Sequence, residues 1–439
     1  MAALFKCKMV VGCTANWNPR FFSTTSQRLS QSYKLVVVGG GAGGCSVAAK
    51  FTSVLPKNNV AIIEPSDTHY YQPMWTMVGG GMKKLEQSGR PMSQVLPKNA
   101  RWIKERATTF FPEENRLVTA SGEEINYEYL VIAMGLQLDY NKIKGLPEAF
   151  NTPGVCSNYS TQYVEKTLES LRNFKEGNAI FTFPNTPIKC AGAPQKAMYI
   201  SEQYLRKHNK RNKANVMFNT SLGVLFGVKK YADALEKVIR ERDISVNFRH
   251  ELIEVKPDTK EAVFRLLDDP AGATKTFKYE MLHVTPPMSA PELLRANKKF
   301  TNEAGYLEVD KSTLQHIRFP NIFGIGDCTN LPTSKTAAAI AGQNKIVYDN
   351  LKLQMEGKNT YDGYTSCPLV TGYSKCILAE FDYDGQPLET LPINQAKERN
   401  TSFFMKKEIM PVLYWKLMLN GWWNGPGTIR KILHFGTGR

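Results

Sequence analysis

The chain has no C-x-x-C pair: its eight cysteines are spaced 6, 32, 111, 34, 138, 39 and 9 residues apart. Zinc ribbons, thioredoxin-type loops and C-x-x-C-H haem attachment are excluded, and a disulfide scaffold needs a far denser set. Acid is missing from the start of the chain, where no Asp or Glu precedes Glu64. Bias is missing too: 42% hydrophobic and 22% charged residues are globular values, which excludes disordered, collagen-like and multi-span membrane proteins. The 439 residues correspond to two or three domains at roughly 150 residues each. A chain of this size buries about three quarters of its unfolded surface, so core size is no constraint. What is present in excess is positive charge: 56 Lys and Arg against 40 Asp and Glu leave +16. That charge calls for an acidic partner, a membrane surface or a compartment signal.

Lys6, Lys8, Arg20 and Arg28 account for part of it, interspersed with Ser23, Thr24, Thr25, Ser26, Ser30 and Ser32. A basic, hydroxylated, acid-free segment is the composition of a mitochondrial transit peptide, expected here over residues 1–33. Arg20-Phe21-Phe22-Ser23 is the expected processing region, and no uninterrupted apolar core follows Lys8 to make a secretory signal. A plain basic tail is the alternative. Loss of this segment lowers the net charge from +16 to +12, still basic.

Lys34–Val38 is a short β-branched run ending in Gly39-Gly40-Gly41-Ala42-Gly43-Gly44, followed by a small, helix-compatible stretch to Phe51. Gly39, Gly41 and Gly44 match G-x-G-x-x-G. Such a turn lets backbone N–H groups approach a pyrophosphate that the helix N-terminus then stabilises. A second run, Val60–Ile63, ends at Glu64, placed to accept hydrogen bonds from both hydroxyls of an adenosine ribose. These residues specify a dinucleotide site, for NAD or for FAD. Two later segments point to FAD. Tyr129–Gly135 resembles the strand returning from the second domain in flavoproteins with two dinucleotide folds. Asn321–Asp327 resembles their closing motif, in which Asp327 meets the ribitol chain and the helix begun by Pro332–Ala339 faces the pyrophosphate.

The middle of the chain lacks the second glycine turn that would grip NAD(P)H. Asn178–Phe183 reads as the corresponding strand, but it runs into Pro184-Asn185-Thr186-Pro187-Ile188-Lys189-Cys190-Ala191-Gly192-Ala193-Pro194. Ala214–Phe218 and Ile244–Phe248 read as strands and Tyr231–Arg242 as a helix, so the domain stays while the nucleotide grip is lost. That argues against NADH as the electron source. Cys190 stands in the lost loop, with Lys189 and Lys196 near enough in sequence to favour its thiolate. Cys367 lies in Tyr361-Asp362-Gly363-Tyr364-Thr365-Ser366-Cys367-Pro368.

With these blocks, together with Tyr70-Tyr71-Gln72-Pro73-Met74-Trp75 and Gly324–Ala339, the chain resembles the mitochondrial-type sulfide:quinone oxidoreductases from about residue 34 onward. The resemblance implies a Cys190–Cys367 disulfide beside the flavin. Hydrogen sulfide attacks Cys367, Cys190 leaves as thiolate, and two electrons pass through FAD to ubiquinone. The resemblance further implies a small sulfur acceptor, glutathione or sulfite, with Lys196 supporting the thiolate. Cys45, Cys156, Cys328 and Cys376 are read as packing residues, and no third active-site cysteine is expected.

From Asn400 onward Phe403, Phe404, Tyr414, Trp415, Trp422, Trp423 and Phe435 cluster, with six basic residues against Glu408. The longest apolar stretch, Ile409–Leu419, is interrupted by Lys416 and is far below the roughly 20 residues of a bilayer span. Aromatic, basic and short describes interfacial helices, expected to meet inner mitochondrial membrane lipid and admit a quinone. Lys406 is the candidate proton donor there. No nucleic-acid-binding motif is present.

The expected fold class is α/β, with two Rossmann-like domains interleaved in sequence and C-terminal amphipathic membrane-associating helices. The expected division is 34–150 and 291–365 for the FAD domain, 151–290 for the second domain and 366–439 for the quinone region. Expected FAD contacts are Gly39, Gly41, Ala42, Gly43, Gly44, Glu64, Gln72, Ala107, Gly326, Asp327, Lys335, Thr336, Ala337 and Ala338. Ala107 is placed by resemblance alone, and no metal is expected. The alternatives are a type II NADH:quinone oxidoreductase and a non-enzymatic FAD-binding protein.

Overall fold

In this computed structural model, residues 31–352 and 361–435 are described. The expected transit segment lies outside them except for its last residues, which belong to a strand. Gln31–Val38 starts three residues before Lys34 and pairs in parallel with Glu124–Ile132, beginning at Gln31 opposite Ile125. Tyr33 is buried against that neighbour, so the sheet begins within the last residues of the expected segment.

Apolar β-branched runs form the first sheet. Its parallel strands are Arg101–Ile103, Val60–Ile63, Gln31–Val38 and Glu124–Ile132, and an antiparallel hairpin of Arg116–Thr119 and Ala107–Phe111 extends it. Ile322–Gly324 then joins in parallel on Glu124–Ile132, so the chain returns to this sheet after almost two hundred residues elsewhere. Parallel strands need covered faces, and runs such as Val36-Val37-Val38 and Ile62-Ile63 are correspondingly buried.

The intervening chain builds a second parallel sheet in the order Val155–Cys156, Met281–His283, Gly177–Phe183, Ala214–Thr220, Ser245–Asn247. Helices Ala193–Lys207 and Lys229–Glu241 accompany it, and an antiparallel sheet of His250–Lys256, Glu261–Leu266 and Thr274–Lys278 is appended. The fold is thus mixed α/β with Rossmann-like units.

The hairpin Thr365–Val370 with Cys376–Phe381 follows. The division expected after residue 365 cuts its first strand, and the cross-strand pairs from Thr365↔Phe381 to Val370↔Cys376 show why that strand is one unit. Buried Glu380 ties it down by accepting from the Tyr364 hydroxyl at 2.7 Å, the Thr390 N–H at 2.7 Å and Gln395 at 2.8 Å. The C-terminal helix runs without a break from Asn400 to Met418, with π-helical turns at Met405–Ile409 and Leu413–Met418. A last helix spans Gly427–Leu433. Among the described residues no helix is long and apolar enough to cross a membrane.

Candidate active site

A cavity of about 750 Å³ runs from the glycine turn to the C-terminal helix. Its floor follows from backbone chemistry. Gly39 has φ +107°, and a Cβ there would lie 2.4 Å from the Ala133 carbonyl oxygen. At Gly44 a Cβ would lie 1.8 Å from the Gly39 carbonyl oxygen, so helix and turn touch backbone to backbone. Gly41 faces open space. The helix Ala42–Phe51 starts here with no side-chain cap, leaving N–H groups for a ligand at its N-terminus. Glu64 accepts from Gly40 N at 2.7 Å and from Ser66 N at 2.7 Å, which orients the carboxylate and leaves lone pairs free for hydroxyl donors. Across the cavity the helix Ala337–Lys352 begins, and Lys335 donates to the Asp327 and Thr329 carbonyl oxygens at 2.8 and 3.0 Å.

These residues fit a dinucleotide. Gly41, Ala42, Gly43, Glu64, Gln72, Gly326, Asp327, Lys335, Thr336, Ala337 and Ala338 line the cavity. Gly39 and Gly44 lie behind its wall, where they allow the close packing. Ala107 follows the strand Arg101–Ile103 and opens the next one, paired with Thr119.

Cys190 sits at the opposite wall. The loop after Gly177–Phe183 makes no glycine turn. Instead Cys190 takes φ +52°, its N–H donates to the Lys335 carbonyl oxygen at 2.8 Å, and helix Ala193–Lys207 begins beyond it. Cys367 comes from the middle of its strand, and the two sulfurs stand 3.6 Å apart across 177 residues. A Cβ on Gly192 would lie 2.5 Å from the Cys367 sulfur, so the glycine makes room for it. Lys196, one helical turn on, donates to Cys190 Sγ at 3.1 Å and is 3% exposed.

The hydrogen bond from the Cys367 thiol, then the Lys196 charge, hold Cys190 well below the usual thiol range against the effect of burial. The same bond, helped by burial, holds Cys367 well above it. Cys190 is therefore the thiolate of the pair and Cys367 the thiol. Burial opposes the Lys196 ammonium, but the Cys190 and Cys367 sulfurs outweigh it and raise its pKa.

Lys189 departs from the expectation that it favours the thiolate. It donates to Gln72 Oε1 at 2.8 Å and stands 5.6 Å from the Trp75 ring centroid, because the left-handed turn at Cys190 sends neighbouring side chains apart. Lys406 lines the cavity at 4% exposure, 5.9 Å from the Tyr71 ring centroid, with its pKa pulled down to about 8 by burial and by repulsion from Lys196. Cys45, Cys156, Cys328 and Cys376 are buried. The sequence reading missed His69 and gave Tyr414 no role beyond its aromatic cluster. A histidine five residues after the strand-terminal acid, in a chain with six histidines, was the available signal.

Residues 33–180 match the family model described as pyridine nucleotide-disulphide oxidoreductase. Over 99% of its length the chain is 55% identical to the mitochondrial sulfide:quinone oxidoreductase of Mus musculus, covering 97% of that protein. The chain belongs to the sulfide:quinone oxidoreductases. Its likeness to the mitochondrial member from Dictyostelium discoideum is 46% identity over 92% of this chain and 89% of that one. The crystal structure of the Aquifex aeolicus enzyme superimposes with a TM-score of 0.76 at 21% identity, covering 93% of this chain and 96% of that chain, and shows the shared fold. Membership agrees with the two features that set this site apart from a pyridine-nucleotide site: the proline-rich loop at 184–194 and the facing sulfurs.

Proposed function

We propose that the chain oxidises hydrogen sulfide to a cysteine-bound persulfide and passes two electrons through FAD to ubiquinone. The observation that carries this reading is the Cys190–Cys367–Lys196 cluster, which meets the cavity of the glycine turn and the C-terminal helix through Cys190 and Lys196, with Cys367 directly behind Cys190. Sulfide attacks Cys367 Sγ of the oxidised pair, the S–S bond breaks, and Cys190 leaves as thiolate. The asymmetry of the two sulfurs sets this direction, since the better leaving group is the thiolate that Lys196 stabilises. Lys196 keeps its proton throughout and holds the negative charge at Cys190. FAD bound in this cavity would supply the two-electron carrier between the Cys190 thiolate and quinone. A small nucleophile, glutathione or sulfite, then takes the outer sulfur from Cys367, which leaves that sulfur free to re-form the pair. Lys406 holds a proton at Nζ that it can release near pH 8, as quinone reduction requires.

Gly41, Gly43 and Glu64 are the residues to hold the adenosine diphosphate half, with Gly39 and Gly44 shaping the turn behind them and Asp327 and the start of Ala337–Lys352 on the other half. The sites and the division into FAD and second domains follow the same reading. The proposed location is the mitochondrial inner membrane, bound at its surface. Phe404, Trp422, Ile432 and Phe435 are exposed at 57, 76, 69 and 93%, while Phe403 and Trp415 are buried in the packing and Tyr414 and Trp423 wall the cavity. The aromatic cluster is thus split between a surface for lipid and a wall for the ligand. Trp422→Ser with Ile432→Ser is expected to reduce co-sedimentation with anionic lipid vesicles severalfold, and unchanged binding would remove the membrane from this reading.

The deciding experiment is an anaerobic titration of the FAD-loaded protein. Sulfide is expected to bleach the flavin and a ubiquinone analogue to restore it, while NADH leaves the spectrum unchanged. Bleaching by NADH with no response to sulfide would overturn the reading in favour of an NADH dehydrogenase.

A further inference from the structure

The reaction above leaves one buried imidazole unused. His69, 3% exposed on the strand Thr68–Tyr70, lies with Nδ1 2.9 Å from the Gly40 carbonyl oxygen. Its Nε2 meets the hydroxyl of Tyr414, 345 residues away on the C-terminal helix. A carbonyl only accepts, so Nδ1 carries the proton, Nε2 accepts, and Tyr414 donates. Burial lowers the imidazole pKa, in keeping with a neutral ring. Gly40 belongs to the glycine turn, and its carbonyl also accepts from Cys45 Sγ at 3.1 Å.

Packing reinforces the link. The Tyr71 and Tyr414 rings are 4.5 Å apart, His69 and Trp415 5.7 Å, and the Arg90 guanidinium stands 4.2 Å from the Trp415 ring centroid. At Gly421, just past the helix, a Cβ would lie 2.8 Å from Lys50 Cγ and 3.4 Å from the Ser46 carbonyl oxygen, so this segment presses on the glycine-turn helix itself. Lys406 and Tyr414 both fall in π-helical turns, where the register shifts relative to an α-helix.

We infer that His69 and Tyr414 are positioning residues, a neutral hydrogen-bonded strut that locks the C-terminal helix onto the glycine turn and so sets the wall that receives the quinone. The inference rests on the cavity's being the flavin and quinone site. The strut acts through Tyr71, which it holds against Tyr414, and through Lys406 above the Tyr71 ring. The sulfur atoms are held in place by other elements, the Ala193–Lys207 helix and the Thr365–Val370 strand, and only the Lys406 charge reaches them from the strut side, so the strut bears first on the quinone half-reaction.

The test uses the FAD-loaded full chain as wild type, Tyr414→Phe, His69→Leu, the double variant and His69→Gln. The quantities measured are KM for a ubiquinone analogue, KM for sulfide, and amide hydrogen exchange over 400–418. Loss of one buried hydrogen bond with its partner left unpaired predicts a rise of about 10-fold in quinone KM and faster exchange in that helix. The KM for sulfide stays within twofold. The double variant is no worse than His69→Leu, because that replacement already removes the interaction with Tyr414. His69→Gln recovers most of the effect, since its amide can donate to Gly40 and accept from Tyr414. Unchanged quinone KM and exchange in Tyr414→Phe overturn the inference, as do additive effects in the double variant or equal losses on the sulfide and quinone sides. A wild type that reduces no quinone with sulfide defeats the parent reading instead, and the exchange data then decide the strut alone.

Discussion

Replacing Cys190 or Cys367 by serine is expected to slow sulfide-driven quinone reduction by about 10³-fold or more, as loss of a covalent nucleophile does elsewhere. Each replacement acts at a different point. Without Cys367 there is no electrophilic sulfur for sulfide to attack and no place for the persulfide. Without Cys190 there is no leaving thiolate, and Cys367 cannot be re-oxidised within the site. A serine oxygen fills nearly the same volume, so the fold and the cavity are retained. The two variants should therefore keep their bound flavin while failing to respond to sulfide. Stopped-flow absorbance of the flavin after mixing with sulfide is the measurement. Full activity in both variants would reduce the facing sulfurs to packing and favour the non-enzymatic alternative.

Lys196→Met carries the second large effect, an expected loss of about 10²-fold in the sulfide half-reaction, in the range attributed to a single positioned charge. Methionine keeps the stem and removes the charge. The Cys190 pKa is depressed first by the Cys367 hydrogen bond and next by Lys196, so part of the depression survives the substitution. The sign follows. With Lys196 gone, the Cys190 thiolate is protonated at higher pH, and the limb on which the rate rises with pH moves upward. Lys406 provides a second reporter. Burial and then the Lys196 charge bring it to about 8, so removing that charge raises it and moves the alkaline limb of quinone reduction upward as well. A pH–rate profile of each half-reaction measures both. Limbs that stay in place would mean that Lys196 does not act on either group.

Much of the site was legible residue by residue. The strand–turn–helix at Gln31–Phe51 and the acid ending Val60–Ile63 are local features, set by β-branched runs and by glycines where no Cβ fits. The proline-filled loop at 184–194 was equally plain, since a missing turn shows in the residues themselves. Ala107 shows the opposite case. Its place rests on resemblance, since nothing in the residues around Arg101–Ile103 and Ala107–Phe111 spells out an adenine contact. Lys189 and Lys196 are a sharper example: both flank Cys190 in sequence, yet one reaches Gln72 and the other the sulfur. A positive φ at Cys190 and the first turn of the following helix decide between them.

Amino-acid order alone thus determined the dinucleotide turn, the absence of a second one and the aromatic, basic C-terminal segment, while the choice of the two sulfurs rested on the family resemblance. These are properties of ten or so consecutive residues, where local sterics and side-chain chemistry dominate. Tertiary structure decided which groups meet: Cys190 with Cys367 across 177 residues, His69 with Tyr414 across 345, and the return of Ile322–Gly324 to the first sheet. It also decided which aromatics face the cavity and which face outward. Such meetings depend on how two sheets and a terminal helix pack, and burial of their apolar faces selects that packing without leaving a trace in sequence spacing.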